Sequence, residues 1–358
     1  MRLNSSMLLL AAILMTGTAR VAPAQARGEV RVRLESTEGS SVSGALVALI
    51  DTAQRVVAEG VSGENGARVL AAPSGTYRIR VRRIGFRPFV SEPVAVPMSD
   101  ELVLRFESPR IQLESVVVTS RSGCGAIDPR DQTLATVWDE IAKALRGSQL
   151  GTRDLEGIAN YYVYRTTMRA NGRVISSDTT FRKLGSAKPF GVKDPAVLAR
   201  DGYVFGNEES GWTYYAPDET VLLSDQFAAT HCFRAVRDGK RSGQVGIEFS
   251  PVKGRSVPEI EGILWVDQRT AELRELNFRY VNAGVLERGG AGGFTRFRRM
   301  PSGAWIVDAW ALKAPILERQ QKVLTERMTI LGHIEDGGGV NMRPSPQPPA
   351  LGPPTAGR

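Results

Sequence analysis

The chain has 358 residues, of which 42% are hydrophobic and 7% aromatic. This composition excludes a largely disordered chain and is typical of a globular protein long enough for two domains. The net charge of +8 is mild and the arginines are spread along predicted strands, which argues against a nucleic-acid-binding protein.

Residues 1–26 predict a cleaved signal peptide. Arg2 precedes a largely apolar run from Met7 to Thr16, and the segment closes on Ala24-Gln25-Ala26. The run is too short to cross a bilayer, and the small residues form an A-x-A cleavage site. We therefore expect export to the periplasm, the outer-membrane surface or the medium, with no transmembrane segment in the mature chain.

From residue 27 onwards, apolar and polar residues alternate, which is typical of strands with one buried face. Three such stretches are centred on Val32, Ile79 and Leu104, with turn sequences such as Glu64-Asn65-Gly66 and Pro73-Ser74-Gly75 between them. Short antiparallel strands joined by tight turns predict an all-β first domain, most simply a β-sandwich.

Several motifs of this region resemble the carboxypeptidase regulatory-like domain. In chain order they are Val42-Ser43-Gly44-Ala45-Leu46-Val47, Asn65-Gly66-Ala67, Gly75-Thr76-Tyr77-Arg78-Ile79-Arg80-Val81 and Arg83-Ile84-Gly85-Phe86. The resemblance covers residues 27–120 and implies a prealbumin-type or immunoglobulin-like sandwich, related to carbohydrate-binding-like folds and without catalytic apparatus. The segment Leu113–Thr119 also resembles the stretch that joins this module to the plug of TonB-dependent outer-membrane receptors.

Residues 121–157 are expected to form a linker with one helix. Asp128 and Pro129 suit the N-cap and the first turn, and Gly147 is expected to end the helix. The apolar positions at helical spacing are Leu134, Val137, Trp138, Ile141 and Leu145. We expect this stripe to pack on the second domain instead of binding a partner.

The second domain, residues 158–334, is predicted to be antiparallel and rich in β-structure. Its candidate strands are Tyr161–Tyr164, Ser176–Phe181, Val245–Phe249, Ile260–Val266, Leu273–Tyr280, Phe294–Phe297, Trp305–Leu312 and Val323–Ile330. The stretch Glu261–Leu273 is weakly similar to a hairpin of periplasmic lipoprotein-carrier half-barrels, which curl a sheet around an apolar groove. A generic meander and a half-barrel both stay open.

Residues 335–358 start with Glu335 and Asp336, followed by three consecutive glycines and then by a segment rich in proline. Such a segment has too few apolar residues to build a core. It predicts a disordered tail.

Two cysteines, Cys124 and Cys232, are the complete thiol inventory. In an oxidising compartment an isolated pair favours a disulfide. With His231 and His333 as the only histidines, the chain offers no convincing zinc site. We therefore predict a disulfide and no metal site.

Catalytic motifs are missing from the sequence, and no cofactor motif is present. The one sharp nucleophile hypothesis is a dyad of Cys232 and His231, but neighbouring residues of a strand point to opposite faces. We predict no catalytic residue and no cofactor.

A dense aromatic cluster is the remaining candidate for ligand binding. Its members are Tyr203, Phe205, Trp212, Tyr214 and Tyr215. Such side chains can stack on a sugar or line an apolar groove, or they can fill the core of the second domain.

These observations predict a mainly β, non-catalytic exported protein that binds a ligand or acts as an adaptor in the cell envelope. The expected partner is an envelope protein, a glycan or a lipid. The alternative is a periplasmic lipid or lipoprotein carrier, which would need an apolar interior large enough for acyl chains. An enzyme of unfamiliar type is a second alternative.

Overall fold

The computed structural model describes residues 27–107, 111, 113, 123–124, 131–154, 160–183, 190–191, 193–207, 209–300, 302–322 and 325–341. The expected signal peptide lies outside these residues, as do most of the expected tail and Asp128-Pro129. Strands dominate, as the sequence predicted. Within the described part, no helix combines the length and the apolar character needed to cross a bilayer.

The first domain is a β-sandwich. Its strands are β1 (Arg27–Ser36), β2 (Leu46–Ile50), β3 (Val56–Val61), β4 (Ala67–Pro73), β5 (Gly75–Arg82), β6 (Phe89–Val90), β7 (Val94–Val96) and β8 (Glu101–Phe106). One sheet has the order β4-β1-β8; the other has the order β3-β2-β5-β6, with β7 also beside β5. We call this domain the N-terminal sandwich.

The alternation of the first strand explains how the sandwich closes. Val30, Val32 and Leu34 of β1 are at most 1% exposed and pack against β2 and β5 residues such as Leu49 and Ile79. The polar residues between them face solvent. Burial of this apolar stripe is the main driving force for closing the two sheets on each other.

The second domain is built on one continuous ten-stranded sheet, which we call the large sheet. Its strands are β9 (Gly123–Cys124), β10 (Asn160–Arg169), β11 (Val174–Lys183), β14 (His231–Val236), β15 (Gln244–Pro251), β16 (Glu259–Asp267), β17 (Leu273–Val281), β18 (Gly292–Arg299), β19 (Trp305–Lys322) and β20 (Thr325–Asn341). The order is β11-β10-β20-β19-β18-β17-β16-β15-β14-β9, and neighbours run antiparallel. A separate hairpin consists of β12 (Val204–Asn207) and β13 (Gly211–Tyr214).

One long helix covers one face of the large sheet. The helices are α1 (Gln132–Asp154), α2 (Pro195–Asp201), α3 (Glu219–Leu222), α4 (Asp225–Thr230) and α5 (Val285–Arg288). Val137, Ile141 and Leu145 of α1 join the same core as Ile247 and Leu264 of the sheet. This confirms that the apolar stripe packs on the second domain. We call the covered side the inner face and the opposite side the outer face.

The helix does not end at Gly147, as the sequence predicted, but continues to Asp154. A Cβ added at Gly147 would touch the Trp305 side chain at 3.4 Å, and one added at Gly151 would meet the Trp305 carbonyl oxygen at 2.9 Å. Both glycines therefore let α1 approach β19 closely. This packing compensates for the low helix propensity of glycine, which costs about 1 kcal/mol relative to alanine at each position. At the other end, the Asp131 side chain accepts a hydrogen bond from the Leu134 amide and caps the helix.

The sequence prediction places the start of the tail too early in the chain. Residues 335–341 are part of β20 and pair with β10 on one side and with β19 on the other. Glycine is unfavourable in an isolated strand, but here it lies between two strands that supply its hydrogen bonds. The predicted strands of the second domain are present, whereas β9, β12, β13 and β14 were not predicted.

Candidate functional site

The contact between the two domains centres on a buried ion pair of α1. Glu140 and Lys143 are 0% and 1% exposed, and the Lys143 Nζ lies 2.6 Å from the Glu140 Oε1. Their i,i+3 spacing places both side chains on one side of the helix. Burial raises the pKa of the Glu140 carboxyl, and the positive charge of Lys143 opposes that shift.

The pair holds the loop after β5 by its backbone. We call this loop, Arg83–Phe86, the docking loop; it is the last of the regulatory-like motifs. The Gly85 amide donates to the Glu140 Oε2 at 2.7 Å, and Lys143 donates to the Phe86 carbonyl at 3.1 Å. Both buried charges thus have partners, as buried charges require.

Further contacts surround this centre. Arg82 pairs with Asp139 of α1 at 2.7 Å, and Arg146 of α1 pairs with Glu59 of β3 at 2.7 Å. At the far end, the backbone of Gly44 approaches that of Gly303 so closely that a Cβ on either residue would collide. Gly44 has a φ of 70°, which also favours glycine. The sandwich is therefore fastened to the second domain at several separate points.

The outer face of the large sheet is the second candidate region. Residues that pair directly across antiparallel strands lie on the same face, so the register traces a row from β14 to β11. This row is Arg234, Glu248, Ile263, Asn277, Phe294, Ala311, Gly337, Tyr164 and Thr179. Charged residues occupy its β14–β15 end, whereas small and aromatic residues occupy its β18–β10 end.

A cavity of about 990 Å³ opens at the charged end. Two ion pairs lie in its wall: Arg234 with Glu248, and Arg279 with Glu261, the latter with an Nε to Oε1 distance of 2.6 Å. The Cys124–Cys232 disulfide also lines it. This wall offers both hydrogen-bond donors and acceptors to a polar ligand.

The predicted disulfide is present in the structure. Cys124 and Cys232 are bonded, with an S–S distance of 2.07 Å, and they link β9 to β14 at the edge of the large sheet. The bond removes Cys232 as a nucleophile, so the dyad with His231 is excluded.

His231 itself is buried in the core. Its Nδ1 lies 3.1 Å from the Phe227 carbonyl oxygen and its Nε2 lies 3.1 Å from the Ile260 carbonyl oxygen. Burial lowers the pKa of His231 to about 4, although both carbonyl contacts favour the protonated ring. Its environment, with Phe227 stacked on the ring at 4.1 Å, is that of a structural residue.

The five aromatic residues singled out in the sequence do not form one open surface. Tyr203 is in the core, while Phe205, Trp212, Tyr214 and Tyr215 are half-buried against it. Phe205 and Tyr215 meet edge to face at 5.4 Å, and the Lys193 Nζ lies 4.1 Å from the Phe205 ring centroid. Their role in ligand binding stays a prediction.

Two features of the sites were missed in the sequence. Glu140 and Lys143 flank the apolar stripe of α1, and a Glu/Lys pair beside a buried stripe is a usable signal. Tyr162 and Tyr164 alternate along β10, but the glycines that face them are about 170 residues away in β20. Among the described residues, no cluster of His, Cys, Asp and Glu could hold a metal ion.

Comparison with known families decides the nature of the first domain. Residues 29–108 match the model of the carboxypeptidase regulatory-like domain. The resemblance read from the docking loop and the other motifs is thereby confirmed for this part of the chain. The regulatory-like family is non-catalytic. The comparison with curated proteins found no match.

Three solved structures are similar at low scores. The TIE protein of Bacillus anthracis is 9% identical, with coverage of 85% of this chain and 48% of that chain, and a TM-score of 0.20. A DUF3823 family protein from Parabacteroides merdae is 11% identical, with coverage of 63% and 96% and a TM-score of 0.18. BcpA, the major pilin subunit of Bacillus cereus, is 11% identical, with coverage of 87% and 95% and a TM-score of 0.19. This chain thus spans about half of the Bacillus anthracis protein, and scores this low transfer no function.

Proposed function

We propose that the protein is an exported, non-catalytic adaptor of the cell envelope that binds a protein, glycan or lipid partner. The observation that carries this proposal is the docking of the regulatory-like sandwich on α1 by the buried Glu140–Lys143 pair. Two domains fastened in this way present the outside of the sandwich and the outer face of the large sheet in one relative orientation. Fixed presentation of two surfaces is what an adaptor requires.

Export is supported by two independent features of the chain. The leader at residues 1–26 has the sequence of a signal peptide. The Cys124–Cys232 disulfide is stable in an oxidising compartment and rare in the cytosol.

A lipid carrier is the second candidate. It is favoured by the single antiparallel sheet of ten strands with a helix on its inner face, an arrangement compatible with a curled half-barrel. The inner face, however, is occupied by side chains of α1 and the sheet, including Ile141, Leu264 and Tyr280. An acyl chain would have to displace α1, so the adaptor is the stronger proposal.

Native mass spectrometry of the full chain, purified gently from an export-competent host, separates the two candidates. The adaptor predicts a mature chain that begins at Arg27 and carries no lipid. Because it contains the disulfide, its mass should be lower than that of the reduced form by two hydrogens. Reductant should add these two hydrogens. A co-purifying lipid mass would instead establish the carrier, and an intact leader in the purified chain would contradict export.

A further inference from the structure

At the β18–β10 end of the outer face, two tyrosine side chains lie over glycines of the large sheet. Tyr162 pairs directly with Gly339, and Tyr164 pairs with Gly337. The Tyr162 hydroxyl lies 3.0 Å from the position that a Cβ on Gly339 would take, and the Tyr164 ring is closer still to that of Gly337. A side chain at Gly337 would collide with the Tyr164 ring, and one at Gly339 would crowd the Tyr162 hydroxyl. The two glycines therefore give the tyrosine side chains room over the sheet, where both are half-buried.

The two rings form a surface with a third. The Tyr162 and Tyr164 ring centroids are 6.4 Å apart, and the rings are inclined by only 19°. Phe181 of β11 pairs directly with Tyr162, and its ring centroid lies 6.4 Å from that of Tyr162. Phe181 is 65% exposed, although a large apolar side chain gains free energy from burial. We call Tyr162, Tyr164 and Phe181 the aromatic platform.

Polar groups surround the aromatic platform. The Tyr164 hydroxyl donates to the Glu335 Oε1 at 2.8 Å, which leaves the second carboxylate oxygen as an acceptor. Thr179 and Ser177 expose hydroxyl groups on the same face, and Ser177 lies 2.9 Å from the Thr166 hydroxyl. Flat rings with hydroxyl and carboxylate groups at their rim match the two surfaces of a pyranose, whose C–H groups face one way and whose hydroxyls project around its edge.

The charges nearby favour an uncharged ligand. Arg165 and Asp336, which form two hydrogen bonds at 2.7 and 2.8 Å, alternate with Tyr164 and Gly337 along their strands and so lie on the opposite face of the sheet. On the outer face, Lys313 stands directly across the strands from Glu335, and Arg296 pairs with Glu275 at 2.9 Å, so each cation has an acidic neighbour. Nucleic acid needs lysine and arginine to neutralise its phosphates. The platform itself contributes no cation, and its rim contributes the Glu335 carboxylate.

The same face continues from the platform towards β18. Ala311 and Ala309 follow the two glycines across the sheet, and Phe294 and Arg296 stand beyond them. Four strands take part, and their three spacings give a width of about 14 Å. Small residues therefore separate the aromatic platform from the Phe294 ring along this face.

We infer that the aromatic platform binds neutral glycans by stacking pyranose rings on Tyr162, Tyr164 and Phe181. This inference rests on the proposed role of the protein as a binder, and it names both the ligand class and the place. The site is distinct from the docking loop and from the aromatic cluster around Phe205.

Affinity electrophoresis of the full mature chain tests the inference. The gels contain one soluble neutral polysaccharide each: β-glucan, xylan, galactomannan or glycogen. At least one should retard the protein, and Phe181→Ala or Tyr162→Ala should weaken the apparent affinity about tenfold, as expected for the loss of one stacked ring. Tyr164→Phe keeps the ring and should retain most of the binding.

The matched control is Ile175→Ala. Ile175 lies on the same edge strand and is 58% exposed, but it has no ring; its replacement should leave the retardation unchanged. Phe181 is exposed, so its variant keeps the fold, which circular dichroism checks.

Three outcomes would overturn the inference: no retardation by any of the four polymers, equal retardation of the Phe181→Ala variant, or self-association in sedimentation that Phe181→Ala abolishes. The last would assign the platform to a second copy of the chain. None of these outcomes contradicts the adaptor proposal. That proposal is tested separately by native mass spectrometry, which detects a bound lipid or an uncleaved leader.

Discussion

The inner and outer faces of the large sheet are made by the same strands, yet they differ in what covers them. On the inner face, Phe249 and Leu264 are buried beneath helices and neighbouring side chains. On the outer face, Arg234 pairs with Glu248 in the cavity wall, and Phe181 stays exposed on the platform. Apolar burial on one face supplies stability, so side chains of the other face can stay exposed.

The largest difference in stability is expected between alanine variants of two phenylalanines on opposite faces. Phe249→Ala removes a ring that packs against Phe227 and His231, and it should lower the free energy of unfolding by about 3–5 kcal/mol. Phe181→Ala should change it by about 0.5 kcal/mol or less, because this ring is mostly in water. Urea denaturation measures both. Similar losses in the two variants would contradict the division between the faces.

Ion pairs should show the same difference between buried and exposed positions. Glu140→Ala removes one of the two carboxylates that pair with the buried Lys143 ammonium and should cost about 3 kcal/mol, at the low end for a broken buried pair because Asp139 and the Phe86 carbonyl still contact Lys143. The exposed pair of Arg33 and Glu101 is the control: Glu101→Gln should cost less than about 1 kcal/mol. Hydrogen exchange of the docking-loop amides should rise only in the Glu140 variant. Unchanged protection there would mean that the pair does not hold the sandwich.

The buried His231 predicts a pH dependence. Its folded-state pKa is about 4, against 6.5 for an exposed histidine, so the unfolded chain binds more protons between these values. The free energy of unfolding should therefore fall as the pH is lowered from 6.5 to 4, by up to about 3 kcal/mol. Glu259, whose pKa is raised by burial, acts in the opposite direction.

The contribution of His231 is isolated by comparison with His231→Gln. Urea denaturation of both proteins across this pH range should show a steeper decline for the wild type. Parallel profiles would mean that folding leaves the pKa of His231 unchanged.

The smallest effect is expected at the ion pairs of the outer face. Glu261→Gln removes the partner of Arg279, and the stability should change by less than about 1 kcal/mol because water solvates both groups. Thermal unfolding at low and high salt measures this change. A loss of several kcal/mol would show that the cavity wall is part of the core.

How much the sequence predicts depends on whether the signal is local. The apolar stripe of α1 and the alternation of β1 are local signals, and both the helix packing and the sandwich were predicted from them. Gly147 misled the prediction because its fit against Trp305 depends on a residue about 160 positions away. The glycines of β20 misled it in the same way, since their composition alone is that of a flexible tail.

By itself, the sequence determined the alternation of buried and exposed residues, the regulatory-like motifs and the pairing of the only two cysteines. The alternation and the motifs follow from chemistry within short segments, and each cysteine has only one other cysteine with which to pair. Tertiary structure decided which strands are neighbours, that Glu140 and Lys143 grip the docking loop, and that Tyr162 and Tyr164 lie over Gly339 and Gly337. Contacts between distant segments depend on register, and a shift of one residue in β10 would turn Tyr162 and Tyr164 to the other face.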